Sequence, residues 1–184
     1  MKYKYYINVL DPNSIDAALK SIENYTNKIL PTKIEAFTKA LAEEGVDIAK
    51  AEVVSLDALF TGELLDSIYA KANGRQTKTT VKYVIRTDSK HAMFVEFGTG
   101  IRGKDVPYVG ELPSGYEYAV GKTIHYIGNG RYGWFYPTDD SGKNWKFTEG
   151  MPSRPYMYLT AARLHSKVQQ VAKKVFGGGE YVDN

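Results

Sequence analysis

The spacing of apolar residues predicts two helices in the first third of the chain. Asp11 and Pro12 are typical of a helix start, because an acidic cap precedes a residue whose φ already suits the first helical turn. Apolar side chains then recur at helical spacing, at Ile15, Leu19, Ile22, Tyr25 and Ile29. We expect Pro31 to end this helix. Thr32 to Glu35 form a capping box that predicts a second helix, in which Gly45 indicates a bend or close packing.

Shorter elements are predicted in the middle of the chain. Residues 59–68 predict a turn with a short helical element, capped by Thr61. Ser67 to Ala72 and Thr79 to Thr87 have the pattern of two strands in a hairpin around a polar loop. Ala92 to Phe97 is an apolar run that fits a short helix or a short strand, since periodicity does not separate the two at this length.

The next region combines a long loop with a second hairpin. Ile101 to Tyr118 is rich in Gly, Pro and Tyr, which predicts a loop that becomes ordered on contact with a partner. Thr123 to Ile127 and Gly133 to Pro137 predict a hairpin around a Gly-Asn-Gly turn, and Lys143 to Thr148 predicts a further strand.

The last helix has the clearest pattern. Its apolar stripe consists of Met157, Ala161, Leu164, Val168, Val171 and Val175. Steps of three and four residues keep this stripe on one face, so we expect it to be buried. Glycines after Phe176 are expected to stop the helix, and residues 177–184 to form a flexible tail. At the other end of the chain, polar and apolar residues alternate from Lys2 to Leu10, which suits a short strand or an extended arm.

Composition narrows the class of protein. Of the 184 residues, 43% are hydrophobic and 24% charged, which is typical of a globular protein. The net charge of +3 is too small to indicate nucleic-acid binding by itself. The absence of cysteine excludes a disulfide framework, a thiolate zinc site and a cysteine nucleophile. The first residues lack the apolar core of a signal peptide and no stretch is as long as a membrane span, so we expect cytosolic synthesis and no membrane partner.

Motifs for catalysis or cofactor binding are weak. Gly98 to Gly103 matches the dinucleotide pattern G-x-G-x-x-G, but Lys104 to Pro107 cannot start the long helix that this site requires, which favours a mobile glycine loop. We expect Gly98 to adopt a conformation that is unfavourable for other residues, because the chain must turn sharply after Phe97. His91, His125 and His165 have no metal-ligand partner at helical spacing. The sequence therefore predicts no catalytic residue, no cofactor and no metal.

Glu96 is a carboxylate inside an apolar run. It is a candidate general base for an enzyme, the function that we rate lowest. Hydrogen bonds from backbone amides, or a cation such as Arg154, explain a carboxylate at this position better. Arg154 is equally a candidate to pair with a neighbouring subunit.

Two further features indicate contacts with partners. The chain has 15 tyrosines, and we assign Tyr108, Tyr116 and Tyr118 to a partner surface, where tyrosine is enriched. Four basic residues lie on the first hairpin around Tyr83, at Arg75, Lys78, Lys82 and Arg86. A basic ribbon with an aromatic residue can bind phosphate and stack a base. A nucleic-acid-binding module that uses residues 75–86 is therefore the alternative function, although a solvated hairpin tip explains these residues more simply.

Three blocks occur in an order that resembles one family. They are Thr61-Gly62-Glu63-Leu64-Leu65-Asp66-Ser67-Ile68, then Ala92-Met93-Phe94-Val95-Glu96-Phe97-Gly98-Thr99, then Pro152-Ser153-Arg154-Pro155-Tyr156 with the terminal helix. This order resembles the small neck proteins of long-tailed bacteriophages and prophages, the tail-completion or head–tail joining proteins. The resemblance covers about Ile34 to Phe176, so the strand and helix before Pro31 are interpreted as additional.

The resemblance implies an α+β fold and a structural role in the virion. We expect an antiparallel or mixed sheet of about four to five strands, packed against N-terminal helices and one long C-terminal helix. Residues 1–176 would form a single domain, with residues 1–30 as an N-terminal extension and residues 101–150 as a long loop and hairpin region. Subunits would form a ring, commonly of six. The ring would contact the connector or head-closure protein and the tail terminator or tail tube protein, and DNA would pass through its channel without sequence-specific binding.

These predictions assign two sets of residues. The interface candidates are Glu96, Gly98, Thr99, Tyr108, Tyr116, Tyr118 and Arg154. The residues assigned to structure are Thr61, Gly62, Pro152, Pro155, Leu164 and Val168.

Overall fold

A computed structural model describes residues 11–59, 62–74, 77, 80–112, 114, 118–138 and 141–177. The predicted N-terminal strand, the Thr61 cap, Tyr116 and residues 178–184 of the predicted tail lie outside these residues. The helices are α1 (Pro12–Asn24), α2 (Leu30–Ser55), α3 (Glu63–Asp66), α4 (Ala92–Phe97), α5 (Gly100–Asp105) and α6 (Tyr156–Phe176), with a π-helical turn at Tyr25–Ile29 and a 3-10 turn at Val120–Thr123. The strands are β1 (Ile68–Ala72), β2 (Tyr83–Thr87), β3 (Tyr126–Gly128), β4 (Arg131–Tyr132), β5 (Trp134–Pro137), β6 (Trp145–Thr148) and β7 (Gly150–Met151).

The chain divides into two compact units. Unit 1 contains Met1–Val46, Tyr69–Ile85 and Arg163–Asn184, and unit 2 contains Asp47–Ile68 and Arg86–Ala162. None of the described helices is long and apolar enough to cross a membrane.

The helix start at Pro12 is confirmed, but the predicted stop at Pro31 is wrong. The Asp11 carboxylate accepts a hydrogen bond from the Asn13 N–H at 3.0 Å. The chain then stays helical through the π turn into α2. A regular α-helix would place the ring of Pro31 against the carbonyl group four residues earlier, and a wider turn just before the proline relieves this clash. The Thr32 hydroxyl donates to the Lys28 carbonyl at 3.0 Å, so the predicted capping box does not form.

Unit 1 contains close packing at Gly45, as predicted. A Cβ atom on Gly45 would lie 2.3 Å from Ile85 Cδ1 and 3.1 Å from Leu164 Cδ2. In the same unit the rings of Phe37 and Phe176 lie 5.6 Å apart. A residue with a Cβ atom at position 45 would require the Ile85 side chain to move.

The apolar stripe of α6 is buried only in part. Val171 is buried, Leu164 and Val168 are half-buried, and Ala161 is exposed. The helix itself is confirmed. The prediction that its whole apolar stripe is buried is wrong, because Ala161 is exposed.

The α+β class is confirmed, and the described strands number seven. Six of them form three two-stranded sheets, β1 with β2, β3 with β4 and β5 with β6, rather than one sheet of four to five strands. The predicted second hairpin is wrong in its pairing. Trp134 to Pro137 pairs with Trp145 to Thr148 instead, while β3 and β4 form a tighter hairpin. Gly133 has a φ of +147° and separates β4 from β5, because few other residues adopt this conformation.

Two ambiguous or loop-like segments are helical. Ala92 to Phe97 is helix α4, and Gly100 to Asp105 is helix α5. The predicted long loop from Ile101 therefore begins as a short helix, and its irregular part starts at Val106.

Candidate functional site

Four glycines in unit 2 bring backbone segments into direct contact. Gly98 has a φ of +78°, and a Cβ atom on it would lie 2.7 Å from the Ser153 nitrogen. A Cβ on Gly103 would lie 2.7 Å from the Gly98 carbonyl carbon. Gly100 and Gly150 also have positive φ and similarly short approaches. We call Gly98, Gly100, Gly103 and Gly150 the glycine corner. The prediction that Gly98 adopts a conformation unfavourable for other residues is confirmed.

Hydrogen bonds connect the glycine corner to two distant segments. Thr99 and Met151 form an isolated antiparallel bridge, as do two of the corner glycines. The buried Thr99 hydroxyl accepts from the Met151 N–H at 3.2 Å. The Thr123 hydroxyl accepts from the Gly100 N–H at 2.7 Å. These bonds fix the chain directly after Gly98 and pair backbone groups that would otherwise be unsatisfied.

Glu96 caps the first turn of α6. Its carboxylate is 6% exposed. One oxygen accepts from the Met157 N–H at 2.9 Å, and the other accepts from the Tyr158 N–H at 3.1 Å. These donors belong to the first turn of α6, where N–H groups have no partner within the helix and the helix dipole favours a negative charge.

The electrostatics of Glu96 fit a structural role. Burial raises the pKa of its carboxyl above the ordinary value, and the bonds from Met157 and Tyr158 oppose that rise. Because both oxygens accept backbone hydrogen bonds, the arrangement favours helix capping over action as a general base. This was the preferred interpretation of Glu96 from the sequence, with backbone amides rather than Arg154 as its described partners.

The Pro-Ser-Arg-Pro motif holds the start of α6 against α4. The Ser153 hydroxyl donates to the Glu96 carbonyl at 2.6 Å. The Arg154 N–H donates to the Val95 carbonyl at 2.8 Å. Pro152 and Pro155 are half-buried, and Pro155 immediately precedes the helix. Arg154 thus contributes to this corner through its backbone.

Tyr108 and Tyr118 are half-buried and pack against Phe97 beside the glycine corner. The ring of Phe97 lies 4.9 Å from Tyr108 and 5.2 Å from Tyr118. Tyr108 also contacts Tyr158, with ring centroids 5.9 Å apart. The Tyr118 hydroxyl donates to the Gly98 carbonyl. Burial raises the pKa of both phenols, that of Tyr108 with a further contribution from the charge of Glu96.

The exposed apolar residues beside these tyrosines are aliphatic. Val109 is 68% exposed, and Val106 and Leu112 are also exposed. The two tyrosines therefore fix the base of the loop, and aliphatic side chains beside them face solvent.

The remaining predicted residues occupy separate places. Gly62 has a left-handed conformation, with a φ of +85°, and precedes α3. Leu164 and Val168 belong to unit 1. Sequence reasoning missed the hydroxyl of Thr123, which has no distinctive local pattern, and assigned no role to the Ser153 hydroxyl within its motif.

The basic hairpin is described only in part. Lys82 and Arg86 are exposed and Tyr83 is half-buried. Arg75 and Lys78 lie outside the described residues.

The described site is therefore a backbone-locked corner around a carboxylate that caps a helix. Residues 16–98 match the HK97-gp10-like family, described as "Bacteriophage HK97-gp10, putative tail-component". No curated protein and no solved structure matches this chain. The match spans 83 of the 184 residues and is consistent with the resemblance to phage neck and tail proteins. It supports a structural role in a phage and a location in the virion.

The match begins at residue 16, inside α1, and ends at Gly98. The resemblance from the sequence covers about Ile34 to Phe176, so the two overlap from Ile34 to Gly98.

Proposed function

We propose that the protein is a structural assembly protein of the phage neck. In this proposal its copies form a ring, commonly of six, that completes the tail and joins it to the head connector. The observation that carries the proposal is the match of residues 16–98 to a family of phage tail components. The ring would leave a channel through which DNA passes without sequence-specific binding.

The geometry of unit 2 suits a protein that acts through its surfaces. The glycine corner, the Glu96 cap and the Tyr108 and Tyr118 rings hold one region rigid. Beside it Val109 and Leu112 are exposed. A preorganised surface loses little conformational entropy when it binds. We assign these aliphatic residues to contacts with the connector or head-closure protein, or with the tail terminator or tail tube protein. Catalysis and cofactor binding have no part in the proposal.

Complementation in vitro tests this function. A phage or prophage that lacks the protein should produce separate heads and tails, and adding the purified protein should restore infectious particles. Restoration of infectivity supports the proposal. If particles without the protein are fully joined and infectious, the proposal is wrong.

Variants with an added charge locate the joining surface. Val109→Asp should lower joining at least about tenfold, because a charge at the centre of an apolar interface stays desolvated and unpaired. The melting temperature should stay the same, since Val109 is exposed. Ser114→Asp introduces the same charge at another exposed position of the segment and is the matched control. Equal activity of both variants would contradict the assignment of Val109.

Measurements of DNA binding and of joining activity on the same protein distinguish the neck proposal from the nucleic-acid alternative. A module that binds DNA through residues 75–86 would lose affinity steeply with added salt and with Lys82→Ala and Arg86→Ala. Joining activity that survives both substitutions favours the neck proposal. Loss of DNA binding together with joining would favour the alternative.

A further inference from the structure

Helix α1 presents an apolar stripe to solvent. Ile15, Leu19 and Ile22 lie on one face at steps of four and three residues and are all exposed, Leu19 by 53%. The buried residue of α1 is Ala18, on a neighbouring face. We call Ile15, Leu19 and Ile22 the α1 stripe. An amphipathic helix normally buries such a stripe, so this one is available for a partner.

The β5–β6 ribbon presents a second apolar surface of different shape. Phe135 pairs with Phe147, and Pro137 with Trp145. Residues that oppose each other, or that lie two apart, project from the same face of a two-stranded sheet. Phe135 is 56% exposed and Trp145 57% exposed. We call Phe135, Pro137, Trp145 and Phe147 the aromatic face.

The opposite face of the ribbon is covered in part, with Lys146 exposed. Trp134 and Tyr136 are half-buried, and Trp134 packs edge-on against His125 at 5.9 Å. A two-stranded ribbon is stable when a further layer packs on it, and an amphipathic helix is the usual layer. The aromatic face therefore lacks the kind of element that the α1 stripe supplies.

Size and charge support this pairing. The α1 stripe is about 10 Å long at 1.5 Å per residue, comparable with the extent of four aromatic and proline side chains on two strands. Asp16 and Glu23 are exposed and lie along one flank of the stripe, with Lys20 farther round the helix. At the open end of the ribbon, the Arg131 guanidinium lies 4.5 Å from the centre of the Phe147 ring. Asp139 and Asp140, which follow β5, lie outside the described residues.

We propose that the α1 stripe of one copy docks on the aromatic face of β5–β6 in the next copy, with Asp16 and Glu23 directed towards Arg131. Two unlike patches on one chain give a head-to-tail contact, and such contacts generate a ring when the rotation closes. This inference rests on the proposed function only in requiring that copies of the chain associate.

Cysteine cross-linking tests the contact directly, because the chain has no native cysteine. A tagged Leu19→Cys copy is mixed with an untagged Trp145→Cys copy, and cross-linking is followed in solution and in particles assembled by complementation. Both residues are exposed, so both variants should fold. The mixed dimer should form at least about tenfold faster than with Lys20→Cys in place of Leu19→Cys, because docking brings the two thiols to millimolar effective concentration.

Charge reversal gives a second readout. Asp16→Lys with Glu23→Lys in the Leu19→Cys copy should lower the cross-linking rate several-fold. Arg131→Glu in the Trp145→Cys copy should restore it. Rates equal to the Lys20→Cys control, or Leu19→Cys pairs that form as fast as mixed pairs, would overturn the inference.

These outcomes are distinguishable from failure of the proposed function. Suppose that joining is restored but cross-linking, in solution and in assembled particles, is no faster than with the Lys20→Cys control. This result would retain the neck function and reject this contact. Rapid mixed cross-linking by a protein that does not restore joining would support this contact and reject the neck function.

Discussion

Gly98 and Glu96 stabilise the same corner by different physical means. Gly98 supplies a backbone conformation and a close approach to Ser153, which a side chain would prevent. Glu96 supplies two acceptors for the first turn of α6. The first effect is steric and independent of pH, whereas the second depends on the protonation of the carboxyl.

Substitution of Gly98 should combine two penalties. Gly98 lies at φ +78° and ψ 167°, a region essentially restricted to glycine, so Gly98→Ala should cost about 1–3 kcal/mol in backbone strain. It also places a Cβ against the Ser153 nitrogen. Gly142 has a φ of +64° with open space around it, so Gly142→Ala carries a positive-φ penalty without a steric contact. Chemical denaturation should show a larger loss for Gly98→Ala. Equal losses would mean that the backbone contacts at the corner relax without cost.

Removal of the Glu96 carboxylate should destabilise the protein at all pH values. Glu96→Ala leaves two N–H groups of α6 without their acceptor, and we expect a loss of about 2–4 kcal/mol in the free energy of unfolding. A loss below about 0.5 kcal/mol, within the usual range for surface substitutions, would show that water replaces the carboxylate.

The pH dependence follows from the raised pKa of Glu96. Because burial favours the protonated carboxyl, the folded protein binds this proton more tightly than the unfolded chain. The resulting stabilisation is complete below the unfolded pKa, about 4.3, and is lost as the pH rises through the folded pKa. The free energy of unfolding of the native protein, measured relative to Glu96→Gln, should therefore fall as the pH rises. A relative stability that rises with pH would mean that the amide bonds outweigh burial.

At the scale of elements, local chemistry was readable from the sequence and long-range contacts were not. The Asp11 cap and the positive φ of Gly98 depend on neighbours in the chain, and both were predicted correctly. The continuation past Pro31 depends on a π turn that has no simple residue signature. The packing of Tyr108 and Tyr118 against Phe97 depends on where Phe97 lies, which composition does not show.

The terminal helix allows a prediction at this scale. Val171→Asp places a charge at a buried position, and we expect a loss of at least about 3 kcal/mol in the free energy of unfolding. Leu164→Asp and Val168→Asp, at half-buried positions, should cost less. Ala161→Asp, at an exposed position of the same helix, is the control and should change stability by less than about 0.5 kcal/mol. Equal melting temperatures for Val171→Asp and Ala161→Asp would contradict the packing of α6.

At the scale of the whole molecule, the chain combines fixed internal geometry with uncovered apolar surfaces. The glycine corner is held by backbone hydrogen bonds, while Val109, the α1 stripe and the aromatic face are exposed. Large exposed apolar patches on a folded protein mark sites of association. The sequence order of three motifs indicated the family, but the surfaces became visible only when the strands were paired and the helices placed.

The central claim is that copies of this protein form a ring at the head–tail junction. Cryo-electron microscopy of virions carrying a small tag at the C-terminus of the protein tests it most directly. The account predicts rotationally symmetric density for the protein, with its tag, between the head connector and the tail tube. Tagged protein found only on the head shell or at the distal tail tip, with no copy at the junction, would contradict it.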